Sequence, residues 1–333
     1  MRLLCAKDLS FHELEDDIVP PYAVLSHTWS RNEVSFEEMK NGRGKDKEGF
    51  AKILKCAEKT LEFGLDYFWI DTCCVDKRSS AELSEAINSM YKWYREAVIC
   101  FAHLSGVSKN DPPHREYPTV TSLETCRWFR RGWTIQELLA PSEVIFFSEE
   151  WESVGKKSVL TKHISAITNI QEAVLACLGL PSETTRPEDV AYCLMGIFGV
   201  NMPLLYGEGD KAFLRLQEEI IKTSEDHSIF AWADELTSPC LYSGLLAQSP
   251  AHFANAGHLN FYHRGDLDPF SMTNRGLKIQ LQMNPVKSPR SKHIGDATLW
   301  HAFLNCYGSS TAPTNTPSIY LVRAKELSWH KDD

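Results

Sequence analysis

The strongest constraint on the fold is an alternation, in the first 150 residues, of short apolar runs with longer segments of helical periodicity. Strands that alternate with helices pair in parallel and take helices on their faces. The segment therefore predicts an α/β fold. Its apolar runs predict four strands, at 22–25, 67–70, 98–102 and 144–147.

Helices are predicted between these strands, from about Asp46 to Gly64, from Ser79 to about Ala97, and over 128–140. Ser79 and Glu82 have the spacing of a capping box. A polar, proline-bearing stretch at 105–122 predicts an exposed loop. Parallel strands of this kind place ligands at their carboxyl ends, so the residues that follow each strand are the first candidates for function.

The rest of the chain changes character twice. From about 158 to 232 the pattern is helical, with one helix start at 185–188 and a second helix through Phe213, Leu216 and Ile220. Beyond 234, alternating apolar residues predict a small β-rich tail, with a loop over 284–291. We therefore expect three parts, namely 1–170, 171–233 and 234–333.

Charge and hydropathy exclude several classes of protein. The 333 residues carry a formal charge of -9, which is not the basic footprint of a nucleic-acid binder. No apolar run approaches the ~18 residues of a membrane-spanning helix, and charged residues come too early for a signal peptide. We expect a cytoplasmic protein that has no nucleic-acid partner and no membrane span.

The ten cysteines include no CxxC pair and no Cys/His cluster at zinc spacing, so we expect reduced thiols and no metal site. Adjacent Cys73 and Cys74 would point to opposite faces if extended. Either thiol could in principle act as a nucleophile with His27 as its base. Nothing else in the sequence supports that arrangement, and buried inert thiols are the default.

Four segments set polar groups directly against apolar strands. They are YAVLSHTWS (22–30), DYFWIDTCCVDK (66–77), SEAINSMYKWYREA (84–97) and WFRRGWTIQELLAP (128–141). With them, in this order, the chain resembles the heterokaryon incompatibility (HET) domain of filamentous fungi over roughly residues 1 to 170. The stretches 184–209 and 269–277 resemble regions that often follow that domain.

The HET domain is itself similar to the TIR domain, a flavodoxin-like fold in which some members cleave NAD+. The resemblance therefore implies a flavodoxin/TIR-like parallel sheet with flanking helices. Ser26 and His27 close its first strand and Asp71 follows its second. The active glutamate of that family lies in a Trp-x-x-x-Glu pattern, which here implies Glu137 as the catalytic residue, four residues after Trp133.

The residues around Glu137 leave two interpretations open. No basic residue lies three or four places away, so a regular helical ion pair is not available. Trp133 shares its helical face and would lie beside the carboxylate. Alternatively, Glu137 is a solvated surface residue, as helical glutamates usually are.

Cleavage of NAD+ requires little more than one carboxylate. Nicotinamide leaves NAD+ as a neutral ring, so no acid must protonate it, unlike in ordinary glycosidases. A single preplaced anion can stabilise the oxocarbenium ion that develops on the ribose.

The turn after the first strand holds the candidate dinucleotide contacts. Ser26, His27 and Thr28 would supply hydrogen bonds and Trp29 a stacking surface, with Trp133 beside them. Alternatively, Trp29 is a core residue and His27 a structural histidine. Asp71 would hold a ribose hydroxyl or cap its own turn. Arg130 and Arg131 could meet phosphates.

The resemblance implies a fungal intracellular effector of non-self recognition that leads to cell death. NAD+ would be its substrate, no resident cofactor is implied, and activation would involve self-association and an incompatibility partner. The alternative is a non-catalytic module that oligomerises and recruits partners.

Overall fold

The structure is a computed structural model. It describes residues 1–14, 19–117, 119–168, 170, 184, 186–233, 244–253, 256, 259–261, 269–274, 276–285, 299–308 and 318–322. Two compact units, Met1–Ala212 and Phe213–Asp333, make up the chain and are described separately. Within the described ranges, no helix combines the length and the apolar character needed to cross a bilayer. The three-part division predicted from the sequence stays a prediction.

A seven-stranded sheet forms the centre of the first unit, in the order β2-β1-β4-β3-β5-β6-β7. Its strands are β1 (Arg2–Cys5), β2 (Phe11–Glu13), β3 (Tyr22–His27), β4 (Tyr67–Ile70), β5 (Ile99–His103), β6 (Val144–Phe147) and β7 (Ser153–Lys156). The strands β4, β3, β5 and β6 are parallel, and the three others are antiparallel additions at the two edges. The predicted α/β class is confirmed, and two predicted strands have the observed bounds.

The strand order locates the expected binding edge. Numbered along the chain, the four parallel strands have the order 2-1-3-4, which matches the first four strands of a flavodoxin-like sheet. The order reverses between β3 and β5, and ligands of such sheets bind outside the carboxyl ends of the strands at that point. Ser26, His27 and His103 lie there.

In the described part of the first unit, seven α-helices accompany this sheet. They are α1 (Phe36–Lys40), α2 (Glu48–Glu62), α3 (Ser80–Glu96), α4 (Trp133–Leu139), α5 (Lys157–Thr168), α6 (Asp189–Tyr192) and α7 (Met195–Phe198). Ser79 caps α3 by accepting a hydrogen bond from the amide of Glu82 at 3.3 Å. The Glu82 carboxylate does not return to the cap; it accepts from the Asp76 amide and from Arg2, both at 2.8 Å. Only half of the predicted capping box therefore forms.

The helix predicted over 128–140 was wrong in its first half. A 3-10 helix covers Arg127–Arg130, and α4 begins only at Trp133. The Thr134 hydroxyl donates to the carbonyl oxygens of Trp128 and Arg131, at 2.5 and 2.7 Å, so a side chain binds carbonyls that a continuous helix would use. The break turns the Trp128 indole into the core, where it is fully buried.

The loop predicted to be exposed over 105–122 is partly buried. Val107, Thr119 and Val120 are in or near the core of the first unit. The loop folds back on itself, since the His114 amide donates to the Thr119 carbonyl at 2.8 Å. Its short 3-10 helix Thr121–Thr125 then leads towards α4.

The second unit begins within α8 (Lys211–Thr223), and short strands follow that helix. These are β8 (Leu259–Phe261), β9 (Ser271–Thr273), β10 (Gly276–Lys278), β11 (Gln282–Pro285), β12 (Leu299–Phe303), β13 (Cys306–Gly308) and β14 (Ser318–Val322). They form the sheet β11-β12-β14 and the pairs β9-β10 and β8-β13. The β-rich tail is thus confirmed. The loop predicted over 284–291 begins inside β11, and its remainder, 286–291, lies outside the described residues.

Candidate functional site

Side chains at the carboxyl end of β3 divide between the two faces of the sheet, because successive strand residues alternate. Ser26 lies opposite Ala102 of β5, and His27 lies opposite His103. All four are buried. The predicted site residues therefore fall into separate networks.

Glu137 belongs to the network of Ser26. The Ser26 hydroxyl donates a hydrogen bond to Glu137 Oε2 and accepts one from the Trp128 indole Nε1 at 2.7 Å. Ser26 and Trp128 are fully buried, and Glu137 is only 7% exposed. The interpretation of Glu137 as a solvated surface residue was wrong, because α4 buries it against the end of β3.

Burial determines the protonation of Glu137. Loss of solvent raises its pKa to about 8, and the negative charge of Asp71 adds to that rise. The Ser26 hydrogen bond, the charge of Arg131 and a hydrogen bond with Tyr94 act in the opposite direction. In this conformation the carboxyl group therefore holds its proton at pH 7. No basic side chain of the described residues forms an ion pair with it.

Trp29 and Asp71 form the rim of this edge. The Trp29 indole Nε1 donates to Asp71 Oδ2 at 2.8 Å, which joins the turn after β3 to the turn after β4. Trp29 is 45% exposed, so the interpretation of this residue as core was wrong. The Lys77 ammonium lies 3.5 Å from the centre of its ring and the Arg131 guanidinium 6.0 Å. An exposed aromatic surface flanked by two cations results.

His27 and Thr28 belong to the network on the opposite face. His27 Nε2 lies 3.5 Å from Glu33 Oε2, and Lys52 donates to Glu33 at 2.6 Å. Burial alone would raise the pKa of Glu33, but His27, Lys52 and the Ser30 amide together hold that pKa well below its usual range. Lys52 also donates to the Thr28 carbonyl at 3.3 Å. In this conformation, Glu33 therefore lies against the His27 ring, and Lys52 binds the backbone of Thr28.

Trp133 is half-buried and its indole hydrogen-bonds the carboxylate of Asp189 on α6. Burial raises the pKa of Asp189, and this hydrogen bond partly offsets the rise. The side chain predicted to lie beside the Glu137 carboxylate thus makes its polar contact with a different helix.

Cys73 and Cys74 lie in a turn after β4, so the condition of an extended pair with opposed side chains is not met. Both thiols are buried. A hydrogen bond with Cys74 and burial raise the pKa of the Cys73 thiol well above its usual value. A nucleophilic cysteine needs the opposite shift and access to solvent, so this geometry argues against a cysteine hydrolase.

A cavity of about 770 Å³ lies elsewhere in the first unit, between α3 and the segment 196–203. Asn88, Tyr91, Arg95 and Asn201 line it, and neither Ser26 nor Glu137 does. With Glu137 so little exposed, the structure brings Ser26 and Glu137 together in a closed arrangement.

Sequence reasoning missed several members of these networks. Trp128 and Lys77 lie within the segments that carry the family resemblance, so their positions were a usable signal. No sequence signal marked Glu33 and Lys52, because their ion pair joins a loop residue to a helix residue 19 positions further along the chain.

Comparison with known proteins finds similarity over parts of the chain. Residues 22–120 match the family described as heterokaryon incompatibility protein (HET), and residues 211–258 match a domain of unknown function, DUF8212. The first range includes Ser26 and Asp71 and ends before Glu137.

The chain is 43% identical over 227 residues to vegetative incompatibility protein HET-E-1 of Podospora anserina. The match covers 63% of this chain and spans only 17% of that relative. No solved structure matches the chain.

Proposed function

We propose that the chain is an intracellular effector of fungal non-self recognition that promotes cell death by hydrolysing NAD+. The HET match and the similarity to a vegetative incompatibility protein support the biological role. An incompatibility partner protein would control it. The reaction rests on the residue constellation at the end of the parallel strands.

The observation that carries the enzymatic proposal is the hydrogen bond between Ser26 and Glu137. It holds a carboxyl group at the switch point of the sheet, where open α/β sheets bind ligands. Trp29, with its flanking cations Lys77 and Arg131, would meet the rings and phosphates of the dinucleotide. Once ionised, Glu137 would stabilise positive charge that develops on the ribose.

In the proposed reaction the bond between nicotinamide and C1′ of the ribose breaks, and its electron pair leaves with the neutral nicotinamide ring. Water then forms the new C1′–O bond and releases a proton to solvent. Since no leaving-group acid is required, a single carboxylate is sufficient.

The closed arrangement requires an opening step. A buried carboxyl group with a pKa of about 8 is mostly neutral at pH 7 and cannot stabilise a cation electrostatically. Self-association that displaces α4, a helix of seven residues, would both admit the substrate and allow Glu137 to ionise. We therefore propose that an assembled form of the protein hydrolyses NAD+.

The burial of Glu137 also favours a second candidate function. If the hydrogen bonds of Ser26, Trp128 and Glu137 serve only to fix α4 on the sheet, the chain is a non-catalytic module. Such a module would oligomerise and recruit partners for cell death without chemistry of its own.

Nicotinamide release separates the two functions. Purified full-length protein is incubated with NAD+ over a wide range of protein concentrations, with light scattering as the measure of assembly. We expect turnover that rises more steeply than protein concentration, and its loss in Glu137→Gln by about 10² or more. Glu85→Gln, a change at an exposed position of α3, is the matched control and should retain turnover. Assembly without nicotinamide release would support the module and overturn the enzyme.

A further inference from the structure

Three potential metal ligands lie close together in the first unit, away from the Glu137 site. His114 lies in the loop after β5, Glu124 in the 3-10 helix Thr121–Thr125, and His163 on α5. His114 Nε2 lies 2.8 Å and His163 Nε2 3.8 Å from the same oxygen, Glu124 Oε1. All three ligand atoms lie within 4.8 Å of one another.

The buried imidazole of His163 is the feature that indicates a ligand. Its side chain is fully buried, and neither ring nitrogen has a hydrogen-bond partner in the described part of the chain. Tyr117 stacks on the imidazole with 4.2 Å between ring centres and 6° between planes. A buried polar group without a partner is costly, and native structures satisfy nearly all such groups. Nε2 points towards the cluster, where a metal ion would satisfy it.

We propose that His114, Glu124 and His163 bind a divalent zinc ion. Two imidazole nitrogens and one carboxylate oxygen are a set of three protein ligands known for zinc, and imidazole disfavours magnesium and calcium. Tetrahedral bonds of ~2.0–2.1 Å separate ligand atoms by roughly 3.3 Å. The two distances to Glu124 Oε1, 2.8 and 3.8 Å, lie on either side of that value.

The protonation state of His163 agrees with a metal ligand. Burial lowers the pKa of its imidazole, and the neighbouring His114 lowers it further, whereas Glu124 raises it. The neutral ring keeps a lone pair for a metal ion.

Three protein ligands leave one coordination position for water or an anion. Tyr117, which stacks on His163, also lines a cavity of about 270 Å³ together with Pro113 and Thr119. The ion would also tie the loop after β5 to α5. Sequence spacing does not reveal the site, because His163 lies 39 positions after Glu124, which fits no short zinc motif.

Cobalt and zinc binding to the metal-free protein test the site. The full chain is treated with a chelator and titrated with Co²⁺, whose visible absorption reports four-coordinate geometry, and then with Zn²⁺. We expect one equivalent to bind, Zn²⁺ to displace Co²⁺, and Zn²⁺ to raise the melting temperature. His163→Gln, and separately Glu124→Gln at an exposed position, should weaken binding at least tenfold.

His12→Gln is the matched control, since His12 is an exposed histidine of β2 in the same unit, and it should bind as the parent does. Glu124→Gln keeps the test decisive if His163→Gln does not fold. Failure to bind Co²⁺, or binding that Glu124→Gln and His114→Gln leave unchanged, would overturn the proposal.

Discussion

The hydroxyl of Ser26, near the end of β3, donates a hydrogen bond to the carboxyl group of Glu137, which lies 111 residues later on α4. The same hydroxyl accepts the indole N–H of Trp128. One small side chain thus satisfies two buried polar groups from the segment that follows the 105–122 loop. Any change at this edge of the sheet affects both stability and the state of the candidate catalytic carboxyl group.

Ser26→Ala should destabilise the first unit. The substitution leaves Trp128 Nε1 without its acceptor and removes the hydroxyl that donates to Glu137, both in a buried environment. We expect the free energy of unfolding to fall by about 1–3 kcal/mol in urea denaturation. Ser30→Ala, at an exposed serine, should change it by no more than about 0.5 kcal/mol. Equal effects of the two substitutions would show that the buried hydroxyl has no special role.

Glu137→Gln should flatten the pH dependence of stability. The folded state keeps the Glu137 proton up to a pKa of about 8, whereas the unfolded chain loses it near 4.5. The unfolded state therefore binds fewer protons between these values, and the free energy of unfolding falls as pH rises through this window. Urea denaturation at intervals from pH 5 to pH 8 should show a shallower fall for the variant than for the parent. A slope that the substitution does not alter would contradict a raised pKa.

Glu33→Gln should act in the opposite sense. Interactions with His27 and Lys52 hold the pKa of Glu33 below its usual range in the folded state. Its contribution to stability is therefore present above the unfolded pKa of about 4.5 and is lost as pH falls below that value. The variant should be less stable than the parent at pH 7, and this difference should shrink in acid. A deficit that persists undiminished at low pH would argue against the ionic network.

Gly196→Ala should displace α7 from α3. A Cβ atom added there would overlap Tyr91 Cβ, and it would lie 3.2 Å from Gln136 Oε1. Overpacking of this kind should lower the free energy of unfolding by about 1–3 kcal/mol. Gly244→Ala, where the nearest atom would be 3.9 Å away, is the control and should be close to neutral. If thermal or urea unfolding gives the two variants the same stability, α7 and α3 do not pack as closely as they do in the structure.

Cys73, Cys74, Cys56 and Cys100 should resist alkylation in the native protein. All four thiols are buried, and burial raises the pKa of Cys56 and Cys100, which lowers thiolate content. Mass spectrometry after brief treatment with iodoacetamide should find them unmodified, and modified after denaturation. Cys5, which is half-buried, should react first among these five. Rapid labelling of Cys73 in the native protein would support its role as a nucleophile.

Parallel strands were predictable wherever a short apolar run stood between clear turn signals. The run 67–70 became β4 with the predicted bounds, since its four side chains allow no other buried element of that length. The hairpin β1–β2 was missed, because Arg2 interrupts the apolar character of its first strand. That guanidinium is held by Glu82 and by the Cys74 carbonyl, contacts that no local pattern contains.

The candidate site was predictable only in part for a similar reason. The Trp-x-x-x-Glu pattern drew attention to Glu137, but it predicted neither the burial of that residue nor the Thr134 hydrogen bonds to the carbonyls of Trp128 and Arg131. The histidine and glutamate residues near α5 are brought together by tertiary packing alone. Periodicity describes which face of one element is apolar, and it carries no information on which loop packs over that face.

The edge position of the β1–β2 hairpin bears on how the chain folds as it leaves the ribosome. Leu4 pairs with Phe68, so the first hairpin emerges well before the strand that receives it. By contrast, β5, β6 and β7 each add beside a strand that is already present when they are made. These strands can therefore add outward from β3 in the order of translation, while β1 and β2, which are made before β3, can dock only once β4 is present.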